Sequence, residues 1–387
     1  MIYALLANGP STLPLFVPLL PQALLLFLLL RQLRRSPVRF LPPSTIVVSA
    51  VIFALAIIGA FTSDLQSALK YSKLVLNSVT AVALGAALLF RYGDRFSAAY
   101  SSAVLLACLA GIGGLILNAM TGWSLSANIG DRAYHTNLLT VWLFDAGFNS
   151  SATNFSPFEY RLQSWFDEPG TFGILLLPAL FFYLRSGDWL RCTLILFGIF
   201  LSESANAWAI TVLLGLWKIF SLRSNVAMAV WLGVIAILAG LAAPDIIRLY
   251  EIKTGIDEAY ANSSSLMTRS TEYDYLFENL ATHALPLSQQ FKAASQLEGI
   301  SSSYVAWYVA AGLLFVLCIC SVVFELGFRA VRSIGIARGD VSFALVMAAV
   351  VFLSGFQRTS FLDNVLFMSL MYWSLFYLKA TTMRRAR

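Results

Sequence analysis

The chain has 387 residues, 59% of them hydrophobic and only 12% charged. An ordinary soluble domain carries roughly a quarter charged residues, so this composition excludes a soluble enzyme and points to membrane helices. The net charge of +6 sits at the ends of apolar runs, which reads as inner-leaflet anchoring and not as nucleic-acid binding.

In chain order the apolar runs predict spans at about 13–30, 44–61, 73–90, 97–118, 170–184, 190–203, 206–220, 226–243, 303–326, 341–356 and 361–379. The expected fold class is an all-α polytopic membrane protein of about 11 transmembrane helices, residues 1–387 forming a single integral membrane domain. The first 30 residues lack the basic start of a cleaved signal, so the run at 13–30 is read as a span. The sixth and seventh runs are joined by Leu201-Ser-Glu-Ser-Ala-Asn206, which demands either a tight turn or one bent hairpin that stops short of crossing. Cys108, Cys192, Cys318 and Cys320 fit neither a disulfide framework nor a zinc site and are read as small packing residues.

Most Lys and Arg fall on one side if the N-terminus is outside, including Arg31, Arg34, Arg35, Arg39, Arg91, Arg95, Arg329, Arg332 and the tail Arg384-Arg-Ala-Arg387. That side is the cytoplasmic one. Two long outer segments then remain, about 119–169 and 244–302, and they hold most of the acidic residues and both histidines, His135 and His283. Loops this long inside a compact bundle are usually functional.

In the first long loop, Arg161-Leu-Gln-Ser-Trp-Phe-Asp-Glu168 runs into Pro169-Gly170 and an apolar stretch. Proline starts helices well and keeps its predecessor out of helical geometry, which puts Glu168 at the positive end of a helix dipole. The plain structural alternative is a capped helix with Arg161 paired to Glu168. In the second loop, Ser263 to Leu280 reads as a Ser-capped amphipathic helix with Leu266, Tyr273, Leu276, Phe277 and Leu280 as its apolar stripe and Arg269 near its start. Arg269 has Glu272 and Asp274 as local ion-pair partners, and His283 follows in the connecting turn. The Glu272-Tyr-Asp274 spacing sends its carboxylates to different helix faces, so no metal is expected there. Arg358, in Gln357-Arg-Thr-Ser-Phe-Leu-Asp363, lies in a short outer turn, either as an interfacial anchor or as a third cation facing the same side.

Three stretches together resemble the Wzy-type polysaccharide polymerases and their O-antigen ligase relatives. These are Arg161-x-x-Ser164-x-Phe166-x-Glu168-Pro169-Gly170, the Leu201-Ser-Glu-Ser204 element, and the second long loop followed by Tyr304-Val-Ala-Trp-Tyr-Val-Ala-Ala-Gly312. Ligase-like members place a His-Asn pair before the span that follows the large loop. Here that place reads Ser301-Ser-Ser-Tyr304, which favours a polymerase. The resemblance implies that undecaprenyl-pyrophosphate-linked oligosaccharide repeat units are joined at the periplasmic face of the bacterial inner membrane, without metal or nucleotide cofactor, beside a chain-length regulator. It implies Arg161, Arg269, Arg358 and Ser164 as the pyrophosphate-binding set and Glu168 as a candidate general base; His283 lies too early in the loop to match the ligase histidine and is a candidate base as a loop histidine on the same outer side. Guanidinium suits that ligand because its planar fork grips phosphate oxygens and stays charged. A ligase-like transferase is the neighbouring alternative. A transporter or flippase of lipid-linked glycans is the alternative from another class, and it would place charge at mid-membrane and repeat its sequence internally.

Overall fold

In the computed structural model the described residues are 42–62, 65–122, 125–129, 132–136, 141–144, 158, 160–162, 164, 169–220, 274–278, 280–282, 284, 303–333, 339–354 and 365–385. They are mostly helical. Their elements are α1 (Pro43–Thr62), α2 (Leu65–Tyr92), a single 3-10 turn (Gly93–Arg95), α3 (Phe96–Thr121), β1 (Leu125–Ile129), β2 (Arg132–Thr136), β3 (Val141–Phe144), α4 (Pro169–Ser186), α5 (Trp189–Ser202), α6 (Ala205–Phe220), α7 (Ser303–Ala311), α8 (Leu313–Ser333), α9 (Gly339–Ser354) and α10 (Val365–Arg385). The predicted runs at 13–30 and 226–243 lie outside the described residues.

Among the described residues, two helical stretches, Leu74–Thr121 and Leu313–Arg332, are long and apolar enough to cross a membrane. The first is interrupted at Gly93, whose φ of +49° ends α2. The apolar stretches in α1, α4, α5, α6 and α9 are shorter. Two expectations need correction. The run read as one span at 303–326 is two helices, because Gly312 takes a φ of +56° and breaks it. The segment read as a plain loop after residue 119 carries a three-stranded antiparallel sheet in the order β1-β2-β3, with Ser126 opposite His135 and His135 opposite Trp142. Ile129-Gly-Asp-Arg132 between β1 and β2 is the short hairpin signal that betrays it.

The chain divides into two compact units, Met1–Ala99 with Arg269–Arg387, and Tyr100–Thr268. In the first unit α2 packs along α10 and α1, α9 along α10, and α8 against α1 and α10. Gly85 allows the closest approach: a Cβ there would meet the Ser369 carbonyl oxygen and Tyr372 Cβ, each at 2.9 Å. Small residues serve helix pairs in just this way, letting backbones come close. Trp373 is fully buried, meets the tilted Phe96 ring at 4.1 Å and stacks on Tyr377 at 5.4 Å.

One end of this unit is polar. Glu325 on α8 accepts from the backbone N–H and hydroxyl of Ser44 at the start of α1, and from Nε and Nη2 of Arg329 at 2.9 and 2.7 Å. Arg329 Nη1 donates to Thr382 Oγ1 at 2.9 Å on α10. Asp94 accepts from the Tyr377 hydroxyl at 2.8 Å, and Asp340 from the Ser97 hydroxyl. The sequence reading left Glu325 inside a span and put Arg329 in a connecting loop. Instead the two form an i,i+4 ion pair with side chains only 6% and 9% exposed.

Only part of the expected helix 263–280 is described, as one helical turn at 274–278. Leu276 is buried, whereas Phe277 and Leu280 of the predicted stripe are 70% and 46% exposed. The turn that follows docks on the break between α7 and α8: Tyr308 donates its hydroxyl to the Leu280 carbonyl at 2.8 Å, and Leu313 N–H donates to the Ala284 carbonyl at 3.0 Å. Cys108, Cys192 and Cys318 are buried as expected, but Cys320 is exposed.

Candidate functional site

Among the described residues, the second unit holds both non-glycine positions with left-handed backbone. They are Ser164, with φ at +54°, and Glu203, with φ at +46°. Left-handed conformations cost an L-residue about 1–2 kcal/mol and tend to collect where function over-determines the structure. Here both stand in one junction.

α4 begins at Pro169, as the sequence predicts, and ends at Gly187, where a φ of +74° reverses the chain. Asp188 then caps α5 by accepting from the Arg191 N–H at 3.2 Å. α5 runs 14 residues and stops at Glu203, whose left-handed backbone returns its N–H to the Phe200 carbonyl at 3.1 Å. Ser204 opens α6 by accepting from Ala207 N–H at 3.4 Å. Trp208 closes the corner, donating Nε1 to the Ile199 carbonyl at 3.1 Å and stacking on Phe200 at 6.0 Å. α4 lies beside both α5 and α6. Gly173 makes the approach possible, since a Cβ there would meet Ser202 Oγ at 2.7 Å and Ser204 Cβ at 3.1 Å.

The stretch at 161–164 is laid into this corner. Leu162 N–H donates to the Leu201 carbonyl at 2.8 Å. Arg161 donates Nε and Nη2 to the Ser202 carbonyl at 3.2 and 3.0 Å, and Nη2 also to the Glu203 carbonyl at 2.7 Å. Those are the carbonyls that the end of α5 leaves without intrahelical partners, so the guanidinium is a side-chain cap. Its carboxylate neighbour is Glu203, with Nε to Oε2 at 3.8 Å and side chains 22% and 5% exposed. Burial pushes the Arg161 guanidinium below its ordinary value, and the Glu203 charge pulls it back up.

Ser164 is fully buried and donates its hydroxyl to the Ala107 carbonyl at 2.7 Å. Leu162 and Ser164 press on Gly111, where a Cβ would meet Leu162 Cδ1 at 2.6 Å. Gly198 of α5 likewise sits against Cys108, 2.3 Å from where its own Cβ would be. These contacts fix the junction's height along α3. Ala107 is 11 residues from the start of a 26-residue helix, so the junction sits about 17 Å along an axis of about 39 Å.

Arg161 and Ser164 stand in one junction, and two of the three motif stretches, 161–164 and 201–204, are hydrogen-bonded to each other. The carboxylate that the structure puts beside Arg161 is Glu203. The junction lies just ahead of α4 in sequence and beside the mid-length of α3. Glu168, Arg269, His283 and Arg358 lie outside the described residues. Glu203, Gly111 and Gly198 were not singled out, although a glutamate between two serines where an apolar run stops was a usable signal. A second concavity, the groove between α1 and α2 lined by Thr45, Ile46, Ser49, Phe53, Val75 and Val79, is almost wholly apolar. It offers no charged group among the described residues.

The chain matches no protein-family model and no curated protein sequence.

Proposed function

We propose that this chain is a multi-pass inner-membrane polymerase that joins undecaprenyl-pyrophosphate-linked oligosaccharide repeat units by metal-independent glycosyl transfer at the periplasmic face. The observation that carries the reading is the docking of Arg161 and Leu162 on the 201–203 turn. Two stretches that resemble the polymerase family separately are there one structural element, built around a partly exposed guanidinium.

A membrane setting is supported by the outward apolar surface of the longest helices. Leu106, Met120, Leu317, Phe324 and Val331 are between 56% and 80% exposed. Rows of exposed large apolar side chains on long helices suit lipid and not water. The orientation is supported within the first unit, where Ser44, Asp94, Glu325, Arg329, Asp340 and Thr382 all belong to helix ends that charge bias assigns to the cytoplasm.

In this reading Arg161, with Arg269 and Arg358, holds the diphosphate of the donor, whose anomeric carbon is attacked by an acceptor hydroxyl of a second lipid-linked unit. Charge-assisted hydrogen bonds stabilise the departing lipid pyrophosphate. Ser164 shapes the turn that carries Arg161, and Glu168 or His283 takes the acceptor proton. A chain-length regulator is the expected partner.

The test is the lipid-linked glycan profile of a strain lacking the gene, complemented with wild type, Arg161→Ala, Arg161→Lys or Arg269→Ala. Single repeat units should accumulate without the protein, and only wild type should restore the full ladder while every variant inserts in the membrane. Long polymer left on the carrier lipid would instead identify a ligase. Full ladders from both Arg161→Ala and Arg269→Ala would remove the proposed anion site.

A further inference from the structure

We infer that Glu203 is a built-in counter-ion for Arg161, a positioning residue whose carboxylate limits how tightly the guanidinium holds a diphosphate and so permits its release. The inference rests on the reading of Arg161 as an anion-holding group and adds a second residue to that site.

Three observations separate this role from simple capping. The guanidinium is already oriented by the carbonyls of Ser202 and Glu203, at 2.7–3.2 Å. The carboxylate is 3.8 Å away, beyond hydrogen-bond distance, and so contributes charge and not direction. The backbone at Glu203, with φ 46° and ψ 37°, suits glycine at a helix C-terminus, where glycine would relieve strain of about 1–2 kcal/mol. A glutamate there is the wrong residue for the turn alone, and its side chain is turned inward, 5% exposed, toward the cation.

The physical consequence follows from burial. In this corner a lone guanidinium would attract any diphosphate strongly and release it slowly, because water screens it only in part. A fixed neighbouring carboxylate cancels part of that field while the carbonyls keep the fork in place. Catalysis gains only from interactions stronger in the transition state than with substrate or product. A counter-ion that weakens product binding therefore serves turnover.

The experiment uses the full chain purified in detergent, with inorganic pyrophosphate as the probe in calorimetric titrations of wild type, Glu203→Gln, Glu203→Gly, Glu203→Asp and Arg161→Ala. Glu203→Gln and Glu203→Gly should bind pyrophosphate about tenfold more tightly, the scale of one partly buried charge interaction. Glu203→Asp should restore wild-type affinity, and Arg161→Ala should abolish binding. In polymerisation assays Glu203→Gln should lower KM and kcat together, a split that a merely structural lesion would not give. Glu203→Gly guards against misfolding, since glycine fits the turn. Unchanged or weaker binding by both Glu203→Gln and Glu203→Gly, with binding lost in Arg161→Ala, overturns the counter-ion. Wild-type binding by Arg161→Ala overturns the anion site itself.

Discussion

Replacing Arg161 by alanine removes, in one step, the cap of α5 and the cation beside Glu203. The Ser202 and Glu203 carbonyls lose three hydrogen bonds, and a carboxylate with 5% exposure loses a cation 3.8 Å away. Breaking one side of a buried ion pair costs about 3–5 kcal/mol. Arg161 is 22% exposed, so solvent screens part of this, and about 2–3 kcal/mol is the reasonable loss. Adding Glu203→Gln to Arg161→Ala should return about 1 kcal/mol, because a buried charge that has lost the Arg161 cation disappears while the carbonyls stay uncapped. Thermal unfolding of the detergent-purified protein, followed by monodisperse elution after heating, measures both steps. Equal midpoints for wild type and Arg161→Ala would mean that the guanidinium carries no load at the turn. No recovery in the double variant would mean that Glu203 does not feel it.

Three further expectations concern residues whose contacts are equally specific. Glu325→Ala strands the buried Arg329 and should cost about 3–5 kcal/mol, whereas Glu325→Leu with Arg329→Met strands no charge and should cost only about 1–3 kcal/mol, from the Ser44 N–H and hydroxyl left without their acceptor; equal loss in both would argue against a charge effect. Gly85→Val pushes a side chain into the Ser369 carbonyl and Tyr372 Cβ at 2.9 Å, and should cost about 2 kcal/mol through forced separation of α2 and α10, seen as a lower thermal midpoint. Ser164→Ala and Ser164→Gly both lose the bond to the Ala107 carbonyl, but only glycine relieves the positive φ. The glycine variant should therefore unfold about 1 kcal/mol later than the alanine variant. The opposite order would refute strain at this position.

The helices were legible because an apolar run bounded by charge has one economical solution. α1, α4, α5, α6 and α9 begin and end within a few residues of the predicted runs. The break at Gly312 was not legible, since a glycine inside an apolar run is tolerated in most helices and only tertiary contact decides otherwise. The 274–284 turn supplies that contact here, through Leu280 and Ala284. The Glu325–Arg329 pair was hidden for a related reason. Its spacing fits an exposed i,i+4 pair as well as a buried one, and only the approach of Ser44 and Thr382 from α1 and α10 shows that it is enclosed.

Arg161 marks the limit most clearly. Sequence shows an arginine ahead of a helix that starts with proline, which is equally consistent with a partner seven residues later or 42 residues later. What selects Glu203 is the length of α5. Its 14 residues span about 21 Å, short of the roughly 30 Å of a bilayer core, so its last carbonyls end beside the middle of α3 and not at its edge. Backbone that leaves helical geometry at such a height persists only where protein groups satisfy it. A hydroxyl could satisfy one carbonyl, and an ammonium would meet both only as a point charge. A guanidinium spans two neighbouring carbonyls with a rigid fork and still presents charge to the solvent side. The same side chain is thereby forced to be both cap and cation. An anion drawn to this site would meet it at mid-helix height, and Glu203 would already be there as the competing negative charge.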